Sequence, residues 1–212
     1  MSQIAEHSYY KRLYELTAEI NSIRTRESVL MCFVKKVAQA VEAKGSSIML
    51  LAPDERTLLH TAAYGLSDWY IRKGPVEVDK SISEALEGKP VAVLDATEDE
   101  RVQYREQARK EGIASILSVP IMLRDRIIGV IRVYTAEQRH FDDVDIYFTG
   151  VAANLGAIAL ENARFHEDLE QDYDTFRKQI LEWRSALGDE WMTGDFVMPP
   201  SDLEEIPATP GF

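Results

Sequence analysis

The spacing of apolar positions changes along the chain, and the changes mark its elements. Tyr9, Leu13, Leu16, Ile20 and Ile23 follow steps of four and three, with Lys11, Arg12, Glu15 and Glu19 filling the positions between. That rhythm predicts a helix with a coiled-coil seam. A second helix is expected after Thr25, an N-cap residue type. Its apolar face runs through Leu30, Phe33, Val34, Val37 and Val41. It is expected to stop near Lys44-Gly45, with the glycine as C-cap.

The period then shortens. Residues 46–52 and 57–64 read as strands joined by the turn Pro53-Asp54-Glu55-Arg56, a hairpin. Residues 66–73 predict a short helix or turn bearing Trp69 and Tyr70. Ser81-Ile82-Ser83-Glu84 has the capping-box pattern and predicts a brief helix ending at Gly88. Residues 91–94 read as a short strand, and 98–111 as a polar, exposed helical region. The strongest strand pair is 115–123 with 127–135, turned by Arg124-Asp125-Arg126. Its second member is apolar throughout apart from Gly129 and Arg132, as a central strand covered on both faces requires.

Asp142 is expected to cap a long amphipathic helix. Its seam runs through Phe148, Val151, Leu155, Ile158, Asn162, Phe165, Leu169, Tyr173, Phe176, Ile180, Trp183 and Leu187. The steps are three or four, with a stutter at Leu169-Tyr173-Phe176. After Gly188 the pattern decays. The last stretch holds four of the chain's eight prolines and is acidic, so residues 189–212 are expected to be a disordered tail.

Composition narrows the function classes. A formal charge of −12 with no basic cluster opposes nucleic acid as a partner. Cys32 is the only cysteine, which excludes an internal disulfide and a cysteine-rich zinc site. The N-terminus has no signal-peptide pattern, and no apolar run approaches the roughly 20 residues of a membrane span. The expectation is a cytoplasmic protein without a membrane partner.

The segments Ser47-Ile48-Met49-Leu50-Leu51, Leu59-His60-Thr61-Ala62-Ala63-Tyr64-Gly65-Leu66, Gly112 to Ile121, Ile128 to Tyr134, Phe141 to Asp145 and Ala157 to Ala163 occur in an order that resembles the GAF domain family. The resemblance covers about residues 27–164. It implies an α+β fold: an antiparallel β-sheet with the N- and C-terminal helices packed on one face, and short helices and loops covering the other. It also implies a small-molecule pocket under that cover, and dimers joined through the end helices. The expected organisation is a dimerisation helix over 1–24, the GAF domain over 25–164, a coiled-coil extension over 165–188 and the tail.

Several chemistries of GAF domains are disfavoured. The Asn-Lys pair that accompanies cyclic-nucleotide binding is missing, because Thr135-Ala136-Glu137-Gln138-Arg139-His140 precede Phe141. Cys32 lies on the second helix, away from the segments that would carry a bilin. One cysteine supplies no resolving partner for sulfoxide reduction. His7, His60, His140 and His166 form no close metal spacing, and no metal site or catalytic residue is assigned. No cofactor is specified.

Alternation supplies the pocket candidates. Ile116, Ser118 and Pro120 share one face of their strand, opposite Leu117, Val119 and Ile121, while Val130, Arg132 and Tyr134 share a face of the next. Arg132 is a charge in a run that otherwise reads as buried, so it requires a partner. Either it holds an anionic ligand group, or it pairs with a carboxylate of the chain such as Asp95. Ser47, Tyr64, Trp69, Asp95, Tyr104, Ser118, Arg132 and Tyr134 are the ligand-pocket candidates. Leu13, Leu16, Ile20, Ile23, Leu155, Ile158, Asn162, Phe165 and Leu169 are the dimer-interface candidates, since stripes this long exceed what one small sheet buries. The alternative is that the end helices pack on each other within one chain. The expected function is a non-catalytic sensory or regulatory homodimer that binds a small molecule, a signalling partner, or both. A ligand-free interaction scaffold and an enzyme acting on a small metabolite are the alternatives.

Overall fold

The computed structural model describes residues 3–20, 25–78 and 83–186. The chain divides into two units, 1–167 and 168–212. In the first unit, helices α1 (Gln3–Ile20) and α2 (Arg26–Ala40) precede strands β1 (Gly45–Leu51) and β2 (Thr57–Tyr64). Then come α3 (Asp68–Ile71), β3 (Val76–Glu77), α4 (Ser83–Leu86), β4 (Val91–Val93), α5 (Arg105–Glu111), β5 (Ser115–Leu123) and β6 (Arg126–Thr135). Helix α6 (Asp143–Ala186) begins in this unit and supplies the described residues of the second. The six strands form one antiparallel sheet in the order β3-β2-β1-β6-β5-β4. The fold is the α+β arrangement that the family resemblance implied.

Two layers cover the sheet. On one face, Ile48, Leu117, Val119, Ile121, Ile131 and Val133 pack with Phe33, Val34 and Val37 of α2 and with Phe148, Ala152, Ala153, Ala157 and Leu160 of α6. The segment Asp143–Phe165 of α6 is long and apolar enough, by composition, to cross a membrane, contrary to the expectation that no such run exists. Its small and apolar side chains instead form the floor of this core. On the other face, Met49, Leu58, Val130, Ile116 and Tyr134 pack with Tyr70 of α3, Ala85 of α4 and Ala108 of α5.

Several local expectations are corrected. Helix α2 ends at Ala40, with Val41 as C-cap, so Gly45 does not close it. Gly45 opens β1, where a Cβ would stand 2.4 Å from the Tyr64 carbonyl oxygen; that crossing requires a glycine. The helix expected over 98–111 shrinks to α5, because turns occupy the residues before it. It ends at Gly112, whose φ of 71° allows Ile113 N–H to reach back to Ala108 O at 2.9 Å, a Schellman closure. Asp142 caps α6 as expected, its carboxylate accepting from Asp145 N–H at 2.9 Å.

A charged clamp fixes the start of α6. Arg139 donates to the Val41 carbonyl at 2.6 Å and to both oxygens of the buried Asp145 at 2.7 Å. Its own N–H donates to Ser115 Oγ at 2.9 Å. One side chain thereby links the end of α2 to the first turn of α6.

Leu16 is a core residue beneath α2, and Leu13 packs against the same cluster. Leu16 therefore lies inside the protomer rather than on a free interface, while Leu13 is half-buried. Ile23, Leu187 and the tail lie outside the described residues. From Phe165 onward, α6 presents Phe165, Leu169, Tyr173, Phe176, Ile180 and Trp183 at 45% to 66% exposure. Ile158 and Asn162 are exposed as well, and Leu155 is half-buried.

Candidate functional site

The candidate site lies on the sheet face covered by the short helices. Register builds its base. Ser47 on β1 pairs with Arg132 on β6, which pairs with Ser118 on β5. All three point to the same face, one strand spacing apart, and all are buried. Arg132 Nε donates to Ser118 Oγ at 3.0 Å. Ser47 Oγ and the Tyr134 hydroxyl are 2.9 Å apart. Burial pushes the Tyr134 phenol above its ordinary range, against the smaller opposing effects of Arg132 and Ser47, so it stays a neutral hydroxyl.

The cover adds a second tier. The Tyr70 ring meets that of Tyr134 edge to face, with centroids 6.1 Å apart. Lys73, just beyond α3, places its ammonium nitrogen 3.6 Å from the Tyr70 centroid and 5.7 Å from that of Tyr104, within cation–π range. It also donates to Tyr70 O at 3.1 Å. Tyr104 is fixed by its hydroxyl donating to Pro75 O at 2.9 Å.

Lys73 Nζ is 2.9 Å from His60 Nε2. With Lys73 as donor, Nε2 is the acceptor and the ring proton resides on Nδ1. That Nδ1 is buried and has no hydrogen-bond partner. Burial, then the charges of Lys73 and Arg132, push the His60 pKa down to about 3. Burial, then the Arg132 charge, pushes Lys73 down to about 7, against a smaller opposing effect of Glu111. The Glu111 carboxylate is occupied elsewhere, accepting from Ser67 N–H at 2.8 Å and Ser67 Oγ at 2.5 Å. Among the described residues, no carboxylate lies within ion-pair distance of Lys73.

The structure brings Ser47, Ser118, Arg132 and Tyr134 together and sets Tyr104 at their edge. It does not bring the other candidates there. Tyr64 packs against the helix-side core. Trp69 is half exposed on α3. Asp95 accepts from Thr97 Oγ1 at 2.7 Å and from Gln138 Nε2 at 2.7 Å, and these bonds hold its carboxyl below the usual range. It lines a separate open groove of about 550 Å³, with Glu98, Arg101 and His140, and forms no ion pair with Arg132. His60, Tyr70 and Lys73 belong to the site but were not singled out for it by pattern. Cys32 lies on α2, its thiol donating to Glu19 Oε2 at 3.4 Å. Among the described residues, no group of three or more His, Cys, Asp and Glu side chains is placed to hold a metal ion.

A sheet with terminal helices on one face and a polar, cation-rich site under short helices on the other defines a class of α+β folds. A model of the GAF domain matches residues 30–161. The chain belongs to the GAF domain family. Its solved structural neighbours share the fold at low identity. The GAF domain of a phosphoenolpyruvate-protein phosphotransferase from Coxiella burnetii is 20% identical, with a TM-score of 0.68 over 76% of this chain and 98% of that one. A domain of a putative two-component sensor histidine kinase protein from Sinorhizobium meliloti 1021 is 23% identical, with a TM-score of 0.57 over 68% and 96%. Free methionine-R-sulfoxide reductase from Neisseria meningitidis is 17% identical, with a TM-score of 0.63 over 77% and 94%. Comparison with curated protein sequences finds no match.

Proposed function

We propose that this chain is a non-catalytic sensory or regulatory GAF domain that acts as a parallel homodimer and responds to a small molecule bound under the cover of the sheet. The observation that carries the reading is the exposed stripe Phe165, Leu169, Tyr173, Phe176, Ile180 and Trp183. Six large apolar side chains at steps of three and four want a partner helix, and a second copy supplies the same stripe. Helix α6 also contributes Phe148, Ala152 and Ala157 to the core under the sheet. An event at the covered face is therefore one sheet thickness from the helix that carries the stripe. Membership of the GAF family and a fold shared with a domain of a putative sensor histidine kinase support the regulatory reading. A sulfoxide reductase is also a neighbour, but the Cys32 thiol is bonded to Glu19 and pushed up by burial and by that carboxylate.

Sedimentation of the full chain at micromolar concentration tests the reading. A dimer that Leu169→Glu with Phe176→Glu converts to a folded monomer is the expected result. A wild-type chain that sediments only as monomer would overturn it.

A further inference from the structure

We infer that Asn162 sets the register and the strand number of the helix pair, its side-chain amide bonding the same amide of a second, parallel copy. The inference rests on the proposed dimer and identifies the residue that decides its form.

Leu155, Ile158, Asn162, Phe165 and Leu169 follow steps of three, four, three and four on α6. In a heptad written abcdefg, that order places Leu155, Asn162 and Leu169 at a, and Ile158 and Phe165 at d. Asn162 is exposed in the protomer, between the exposed Ile158 and Phe165, so neither α1 nor α2 covers it. Every other core position of the seam from Leu155 to Trp183 is apolar. Asn162 is therefore its one polar layer.

A polar layer selects what can cover it. A wholly apolar helix laid on this seam takes the amide out of water and returns no hydrogen bond, and a buried amide without a partner is costly. A second copy in parallel, in-register alignment brings its own asparagine to the same level. Asn162 Nδ2–H of one copy then donates to Oδ1 of the partner's Asn162, and the layer is satisfied within the interface. A slip of one heptad sets Asn162 against leucine, at 155 in one copy and at 169 in the other, and strands both amides. An antiparallel pair faces a positions with d positions, which are all apolar along this seam.

The apolar layers leave the number of strands open. Leucine at a with isoleucine at d, the Leu155–Ile158 combination, shifts helices toward three or four strands. A single asparagine at a opposes that shift and holds two strands, at a cost in affinity. A signal carried along α6 needs that one register, because a slip of one heptad moves one copy about 10 Å past the other.

The test compares the full chain with Asn162→Leu and with Asn162→Leu plus Leu169→Asn, which moves the asparagine to the next a position. All three carry Cys32→Ser and Gln171→Cys, the latter bearing a nitroxide on the exposed side of α6 away from the seam. Sedimentation equilibrium reads mass and affinity, and double electron–electron resonance reads the label separation. Asn162 and Leu169 are exposed, so each variant is expected to keep the protomer fold, which near-UV circular dichroism checks. The parent chain is expected to be a dimer with one narrow distance. Asn162→Leu is expected to associate about tenfold more tightly, and to give species above the dimer or more than one distance. The relocated asparagine is expected to restore the dimer and the single distance. An Asn162→Leu chain that keeps the dimer mass and the single distance, or that associates more weakly, would overturn the inference and leave the dimer standing. Failure of the relocated asparagine to restore them would do the same. A parent chain that sediments only as monomer would overturn the dimer itself, and this inference with it.

Discussion

Lys73 Nζ lies 2.9 Å from His60 Nε2, so two groups that are both bases in water share one hydrogen bond under the cover of the sheet. Only one of them holds a proton at that contact. The observed directions agree: His60 is pushed down to about 3, far below the range where it would titrate in water, and Lys73 retains the proton until about pH 7.

The first prediction concerns stability against pH. Unfolded, Lys73 titrates near 10.5; folded, near 7. Between those values the unfolded chain binds the extra proton, so this group makes stability rise as pH increases from about 7 toward 10.5. The slope is at most about 1.4 kcal/mol per pH unit. Urea unfolding of wild type and Lys73→Met at pH 7, 8 and 9 checks it. Wild type is expected to gain on Lys73→Met across that window. Parallel curves would show that Lys73 is not held as described.

His60 gives the acid counterpart. Its folded pKa of about 3 lies below the unfolded 6.5. Its contribution is fully present above about pH 6.5 and is lost as pH falls toward 3, since the unfolded state takes the proton first. His60→Gln is expected to flatten that part of the acid limb. An NMR titration of the imidazole that finds it protonating near pH 6.5 in the native state would contradict the prediction.

Arg132 acts on both neighbours through its charge. Arg132→Met removes a cation that holds Lys73 and His60 down. Both pKa values are expected to rise, Lys73 by the clearer amount, because no other described cation depresses it. Titration of the Lys73 Nζ resonance reads this directly. An unchanged midpoint would mean that burial alone sets the value.

How much of this was legible in the chain depends on what had to be known. Alternation placed Ser118 opposite Leu117 and Arg132 with Tyr134, and the structure agrees because β5 and β6 pair without interruption from Ser115 to Ile121. Alternation assigned no faces on β2, and the strand does not keep simple alternation. Ile48 pairs with Ala62, but Met49 pairs with His60, so Thr61 is an extra residue in a bulge. Leu58 and His60 face the site, and after the bulge Ala62 and Tyr64 face the helices. Tyr64 was thus a candidate on the wrong face, and one register shift explains it. Lys73 had no pattern to reveal it. It follows a four-residue helix, and its importance arises from where the cover lands on the sheet. Leu16 carried a seam that reads equally as coiled coil or as core; only packing against α2 decides for core.

The Arg139 clamp offers a stability test away from the site. Its guanidinium bonds Val41 O and the buried Asp145. Arg139→Ala leaves Asp145 as a buried carboxylate without its cation and is expected to cost about 3 kcal/mol. Arg139→Ala with Asp145→Asn is expected to recover part of that loss. Denaturant midpoints at pH 7 check both, and a single-variant loss below about 1 kcal/mol would mean that solvent replaces the clamp.

The proposed helix pairing makes a prediction about direction. With Tyr173 and Ile180 at one core position of the seam, and Phe176 and Trp183 at the other, Asp172 falls just before a core residue and Arg177 just after one. In a parallel, in-register pair, those flanking positions meet across the interface five residues apart. Asp172 of one copy then faces Arg177 of the other, twice per dimer. An antiparallel pair instead sets like flanks together, bringing Arg177 toward arginines such as Arg184. Asp172→Arg is therefore expected to weaken the dimer several-fold at low salt, and Asp172→Arg with Arg177→Asp to restore it. The individual pairs are exposed and worth only a few tenths of a kcal/mol each, so the readout is the sedimentation equilibrium constant at two salt concentrations rather than thermal stability. A double variant no tighter than the single one would reject the parallel register, while the loss caused by Leu169→Glu with Phe176→Glu would still report whether the stripe is the interface.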